Sequence, residues 1–174
     1  TDTQQLLLET IREITLAEAD LDRFLQRLTE AACRLTGARY GALGVFAGDG
    51  KRLERFFTVG IDDATQKAIG DLPTGKGLLG ALVQDTAPLR LKDLAQHPAS
   101  VGFPPHHPPM RSFLGMSIRS GGRLFGRLYL TDKQGADEFT TSDEQIVAAL
   151  AGQAGVTIEN AHLLRDAQRR EEAL

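Results

Sequence analysis

The sequence predicts an α+β domain with a central, mainly antiparallel sheet and the N- and C-terminal helices packed on one face. Apolar residues recur at three- and four-residue steps over the first 36 residues and again after residue 140, as in amphipathic helices. Between these segments lie two pairs of short apolar runs, each pair joined by a glycine-rich turn. Hairpins form antiparallel pairs, and their segregation from the helices indicates α+β.

The first helix is predicted to end at Gly37, because glycine readily adopts the left-handed conformation that follows a helix. Two strands are then expected, Tyr40–Phe46 and Leu53–Val59, with Gly48-Asp49-Gly50 as the turn between them. This first hairpin forms one half of the predicted sheet.

The middle of the chain reads as irregular. Two short helices are expected at 62–69 and 78–83. The segment from His97 to Met110 then holds five of the seven prolines. Proline lacks the amide donor and restricts the residue before it, so this segment is predicted to be a stiff loop.

The second hairpin is predicted from Phe113–Arg119 and Leu124–Thr131, joined by a turn at residues 120–123. Thr141-Ser142-Asp143-Glu144 has the form of a capping box and starts a long helix, whose last turns, 165–172, are strongly charged. The positions expected to face inward or toward a partner are Ile146, Leu150, Ala154, Ile158, Ala161 and Leu164.

Composition excludes several classes of function. The 174 residues carry a net charge of −3, so no basic surplus indicates a nucleic-acid or membrane-surface partner. One cysteine, Cys33, excludes an internal disulfide framework and a cysteine-rich zinc site, and we expect it to be a small buried apolar side chain. No apolar stretch is long enough for a bilayer and Thr1 begins no signal peptide, so a cytoplasmic location is expected.

Several motifs in this order resemble the GAF family of sensory domains. They are Tyr40-Gly-Ala-Leu in the first strand, Gly75-Lys-Gly before a helix, Asp132-Lys133, and Phe139-Thr-Thr-Ser-Asp143-Glu144 before the closing helix. The resemblance implies a connector helix at 1–19, a GAF domain at 20–164 and the start of an outgoing signalling helix at 165–174.

A closer likeness covers roughly residues 31–164 and concerns the first, haem-binding GAF domain of the DevS/DosT dormancy sensor histidine kinases. It is carried by His97-Pro-Ala-Ser-Val-Gly-Phe-Pro, His107-Pro-Pro-Met-Arg and the strand Phe125-Gly-Arg-Leu-Tyr-Leu-Thr-Asp-Lys133. The likeness implies haem b, with His107 as the proximal iron ligand and Tyr129 on the distal side, and a response to oxygen, carbon monoxide, nitric oxide or redox state. It also implies a downstream kinase domain and a response regulator, neither of which lies in these 174 residues.

The neighbouring residues have simpler interpretations. Adjacent side chains on an extended loop diverge, so His106 should not face the same pocket as His107. We expect His97 to brace the loop and His162 to lie in solvent. A zinc site made of the three loop histidines lacks the short ligand pairs typical of zinc.

Tyr129 alternates with Leu128 and Leu130 and should point to the opposite face of the sheet. Its hydroxyl would donate a hydrogen bond to a diatomic ligand; alternatively, Tyr129 is a core tyrosine bonded to backbone or water. Arg127 introduces a bulky cation nearby and is expected to narrow distal access.

Two other functions stay open. The chain would alternatively be a haem-free GAF domain that binds a small molecule or cyclic nucleotide, or that acts only in dimerisation through its terminal helices. An enzyme is the weakest alternative, because no nucleophile–base pair or carboxylate cluster is evident in the sequence.

Overall fold

The computed structural model describes residues 2–48, 52–61, 88–93 and 111–173. Two long helices enclose five strands in chain order. They are α1 (Asp2–Thr36), β1 (Ala38–Phe46), β2 (Leu53–Val59), β3 (Leu89–Leu91), β4 (Phe113–Ser120), β5 (Arg123–Lys133) and α2 (Thr141–Ala173).

The five strands form one sheet in the order β2-β1-β5-β4-β3, and each neighbouring pair is antiparallel. Both predicted hairpins, β1–β2 and β4–β5, are confirmed, and β1 joins them by pairing with β5. The β4–β5 turn needs left-handed backbone at Gly121 and Gly122, whose φ angles are 59° and 78°. The predicted α+β class with an antiparallel sheet is confirmed.

Both helices pack on the same face of the sheet, as predicted, and the main core lies between them and the strands. Every second residue of the central strands points into this core. The fully buried members are Leu25 and Ala32 of α1, Leu43 and Val45 of β1, Leu114 and Ile118 of β4, Leu128 and Leu130 of β5, and Val147, Ala154 and Ile158 of α2.

The two helices run antiparallel and are tied to the sheet at both ends. At one end, the Lys133 ammonium donates to the carbonyl of Thr36, the last residue of α1, and to Asp143 near the start of α2. At the other end, neighbouring residues of β2 make the ties: Arg55 pairs with Asp22 of α1, and Glu54 pairs with Arg165 of α2. Asp22, near the middle of α1, and Arg165, in the last third of α2, therefore lie at the same end of the sheet.

The cap of α2 lies one residue earlier than predicted. The amide of Asp143 donates to the Thr140 hydroxyl at 3.1 Å, and the amide of Thr140 donates to the Asp143 carboxylate at 2.9 Å. This reciprocal pair is a capping box on residues 140–143. Threonine occupies both 140 and 141 and acids occupy both 143 and 144, so the motif fits the sequence in either register.

Three further features bear on the sequence predictions, and one of them is a correction. Leu164 does not face inward, since it is 47% exposed, and its alternative role of facing a partner stays a prediction. The edge strand β3 was not predicted, because three residues are too few to show alternation. His162 is not solvated: its ring packs edge-on against Phe125 at 5.7 Å.

The predicted helices at 62–69 and 78–83 and the proline loop at 97–110 lie outside the described residues. In the part of the chain that the structure describes, no helix is long and apolar enough to cross a bilayer.

Candidate functional site

The sheet face opposite α1 and α2, here called the outer face, carries a second apolar cluster. Tyr40 of β1 and Phe113 of β4 are buried at its centre. The residues packed against them are Ile61, Leu89, Leu91 and Tyr129. Aromatic and aliphatic side chains on a sheet face form the kind of surface that binds apolar or aromatic ligands.

Tyr129 lies on the outer face, as its alternation with Leu128 and Leu130 predicted, since both leucines are buried in the helix-side core. Its ring is tilted by 36° against the ring of Phe113, with 5.7 Å between the centroids. Burial raises the pKa of Tyr129, and the nearby Arg127 guanidinium only partly opposes that rise. Tyr129 therefore keeps its proton at neutral pH and has a hydrogen bond to donate.

Small residues flank Tyr129 on both sides. Ala42 of β1 and Gly115 of β4 are its direct partners across the sheet, and directly opposed residues point to the same face. Alanine and glycine are both much smaller than a tyrosine side chain. The sheet itself thus contributes only small residues on either side of Tyr129, a feature that becomes visible only when the strand register is known.

Arg127 shares the outer face with Tyr129, because the two residues are two positions apart on β5. It is only 3% exposed. Its Nη1 atom donates to the Tyr129 hydroxyl at 3.4 Å, and its guanidinium carbon lies 4.8 Å from the centroid of the Phe46 ring. Arg127 thus makes a direct contact with the predicted site residue Tyr129, in addition to the narrowing of access expected from the sequence.

His107, the predicted iron ligand, lies outside the described residues, as do His97 and His106. The structure therefore describes Tyr129 and its surroundings, whereas the role of His107 stays a prediction. Among the residues that the structure describes, no three or more His, Cys, Asp or Glu side chains are grouped to hold a metal ion.

Cys33 lies in the helix-side core and not on the outer face. Burial, with a smaller contribution from Glu30, raises its pKa to about 11, so the thiol stays protonated and a poor nucleophile at neutral pH. A methyl group at Gly41 would overlap its sulfur, which shows how closely α1 packs on β1 here. The expectation of a small buried apolar side chain is confirmed.

A family model described as GAF domain matches residues 18–159. A similar solved structure is the GAF domain of a phosphoenolpyruvate-protein phosphotransferase from Coxiella burnetii, 26% identical, with a TM-score of 0.68 and 96% of each chain covered. Another is the second GAF domain of DevS from Mycobacterium smegmatis, 21% identical, with a TM-score of 0.56, 88% of this chain and 99% of that one covered.

A third similar structure is the GAF domain/HD domain protein from Geobacter sulfurreducens, 15% identical, with a TM-score of 0.68. It covers 83% of this chain and 95% of that chain. These proteins differ in the modules that accompany the domain, so at such identities the likeness concerns the fold.

Proposed function

The chain belongs to the GAF family of sensory and regulatory domains, and from that premise we propose that it is a haem-binding sensor. In this proposal the domain holds haem b, responds to oxygen, carbon monoxide, nitric oxide or redox state, and passes the response to a downstream kinase module. The kinase would act on a response regulator, and the domain itself would not catalyse phosphotransfer.

One observation supports the proposal most: a protonated tyrosine hydroxyl on an apolar sheet face. Tyr129 lies among Phe113, Tyr40 and three aliphatic side chains. A porphyrin is a flat apolar ring, so these residues fit its distal side. Haem b would supply an iron centre that binds diatomic gases and changes oxidation state.

His107, Tyr129 and the apolar cluster would have different roles at the haem. His107 would hold the iron as a neutral imidazole, with Pro108 and Pro109 restricting the backbone beside it. Tyr129 would donate a hydrogen bond to a polarised diatomic ligand, and the apolar cluster would exclude water. A change in that hydrogen bond would move β5, which also carries Lys133 and its ties to both helices.

The test is an absorption spectrum of protein expressed with a supply of haem. We expect a Soret band in the wild type, loss of the band in His107→Ala and its retention in the matched control His106→Ala. The reason is that a single histidine from this loop holds the iron. A wild type that stays colourless and also fails to take up haem on reconstitution would contradict the proposal and favour a haem-free GAF domain.

A further inference from the structure

Arg127 places a positive charge in the interior of the outer face. It is more deeply buried than Tyr129, and its guanidinium contacts the Tyr129 hydroxyl on one side and the Phe46 ring on another. A charge in such surroundings is screened much less than one at the surface. Arg127 therefore contributes to the electrostatic potential that a ligand beside Tyr129 would meet.

We propose that Arg127 is a positioning residue that orients the Tyr129 hydroxyl and makes the outer face selective for ligands carrying negative charge on the atom that contacts it. This inference rests on the proposed function, since it names the kind of ligand that the same site prefers. It gives Arg127 a role in selectivity beyond the narrowing of access.

The orientation of the Tyr129 hydroxyl follows from which of the two side chains can donate a hydrogen bond to the other. A guanidinium has only donors, whereas a phenol hydroxyl donates one hydrogen bond and accepts others. In the contact between the two side chains, Arg127 must therefore donate and Tyr129 must accept. The hydrogen of the hydroxyl then points away from Arg127, while the Phe113 ring restricts the tilt of the tyrosine ring.

The selectivity follows from charge. A hydroxyl that accepts from a cation is a stronger donor, because the two hydrogen bonds polarise each other in the same direction. The nearby guanidinium also attracts a negative ligand atom directly, while it gains little from a neutral, weakly polar ligand. Anionic or strongly polarised ligands should thus gain from Arg127, and carbon monoxide should not.

The first test uses haem-free protein and the ionisation of the phenol. The chain has two tyrosines and no tryptophan, so Tyr40→Phe leaves Tyr129 as the single tyrosine. In that background we expect Arg127→Leu to raise the pKa of Tyr129 in an ultraviolet titration, because the stabilising cation is lost. Arg127→Lys, which keeps the charge, should stay nearer to the parent.

Equal tyrosine pKa values in the parent and Arg127→Leu, with circular dichroism showing both folded, would overturn the inference. This outcome is independent of haem. It is therefore distinguishable from failure of the proposed function, which the Soret band reports.

The second test uses haem-loaded protein and two probes, azide as the anion and carbon monoxide as the neutral ligand. We expect Arg127→Leu to weaken azide binding about ten-fold or more, since hydrogen bonds to charged groups contribute that much. Carbon monoxide affinity should change less than about two-fold. Tyr129→Phe should show the same direction of discrimination, because it removes the donor.

Arg123→Leu is the matched control. Arg123 lies on the same strand and is exposed, so its loss changes net charge equally without touching the Tyr129 hydroxyl. It should leave both affinities near the wild-type values. If Arg127→Leu weakens both probes by the same factor, or if Arg123→Leu matches it, Arg127 acts only through structure or net charge and the inference is wrong.

Discussion

At the scale of single residues, His162 of α2 illustrates how packing against the sheet changes the chemistry of a side chain. Its Nε2 atom lies 3.8 Å from the Glu54 carboxylate, and its ring contacts Phe125. Burial lowers its pKa from the usual 6.5; the positive charges of Arg165, Arg123 and Arg55 add to this, and Glu54 opposes it. The folded protein therefore keeps this imidazole neutral at a pH where the unfolded chain protonates it.

The sign of the pH dependence follows directly. As the pH falls through 6.5, the unfolded chain binds a proton at residue 162 first, so the free energy of unfolding decreases until the folded pKa is reached. We expect His162→Gln to show a shallower loss of stability between about pH 7.5 and about pH 5. Urea denaturation at several pH values measures this. Identical profiles for wild type and variant would show that His162 is not buried as a neutral group.

Residues also differ in how far the sequence alone could place them. Alternation with two leucines was enough to put Tyr129 on the outer face, because a strand has a period of two. Arg127 lies two positions before Tyr129, so the same period places it on the same face. The position of Ala42 and Gly115 beside Tyr129 depends instead on the strand register. Register is set by pairing between distant segments, which no local pattern specifies.

At the scale of elements, α2 packs so closely on β4 that one of its positions requires glycine. A methyl group at Gly155 would overlap the backbone carbonyl of Arg119, whereas nothing lies near a methyl group at Gly152, three residues earlier. Gly155→Ala should destabilise the protein by about 1–3 kcal/mol through overpacking. Gly152→Ala, the matched control, should stabilise it by up to about 1 kcal/mol through helix propensity. Similar urea midpoints for the two variants would contradict this packing.

Element boundaries were predictable where the local signal was long. The range of β2 follows from an apolar run after a glycine-rich turn and the end of α1 follows from Gly37, and the structure agrees with both. The edge strand β3 has only three residues, and its pairing with β4 depends on tertiary contacts. The one-residue shift of the α2 cap has a similar origin, because two overlapping motifs compete and only packing selects between them.

At the scale of the whole molecule, Lys133 at the end of β5 joins the last residue of α1 to the first turn of α2. Its ammonium contacts α1 through the Thr36 carbonyl and α2 through Asp143, whose side chain is 7% exposed. Burial alone would raise the pKa of Asp143, but the hydrogen bonds from Lys133 and Thr140 outweigh it and lower the pKa. The pair is therefore ionised at neutral pH, and its stabilising effect is lost only as the pH falls below the ordinary carboxylate range.

Lys133→Met should cost about 3 kcal/mol or more, because it leaves a buried carboxylate without its cation. The matched control is Glu144→Gln, which breaks the more exposed pair of Arg90 and Glu144 at the same end of α2. That variant should cost less than about 1 kcal/mol. Chemical denaturation compares the two variants, and equal losses of unfolding free energy would show that the buried Lys133–Asp143 pair does not stabilise the fold more than an exposed pair does.

The antiparallel helices held at Lys133 also have a mechanical consequence. A helix of 33 residues is about 50 Å long, and the C-terminal end of α2 extends beyond its contact with β2 at Arg165. A tilt of α2 by about 5° about its N-terminal cap would move its C-terminal end by about 4 Å. A shift of β5 that tilted α2 about its cap would therefore be larger at the C-terminal end of the helix than beside Tyr129.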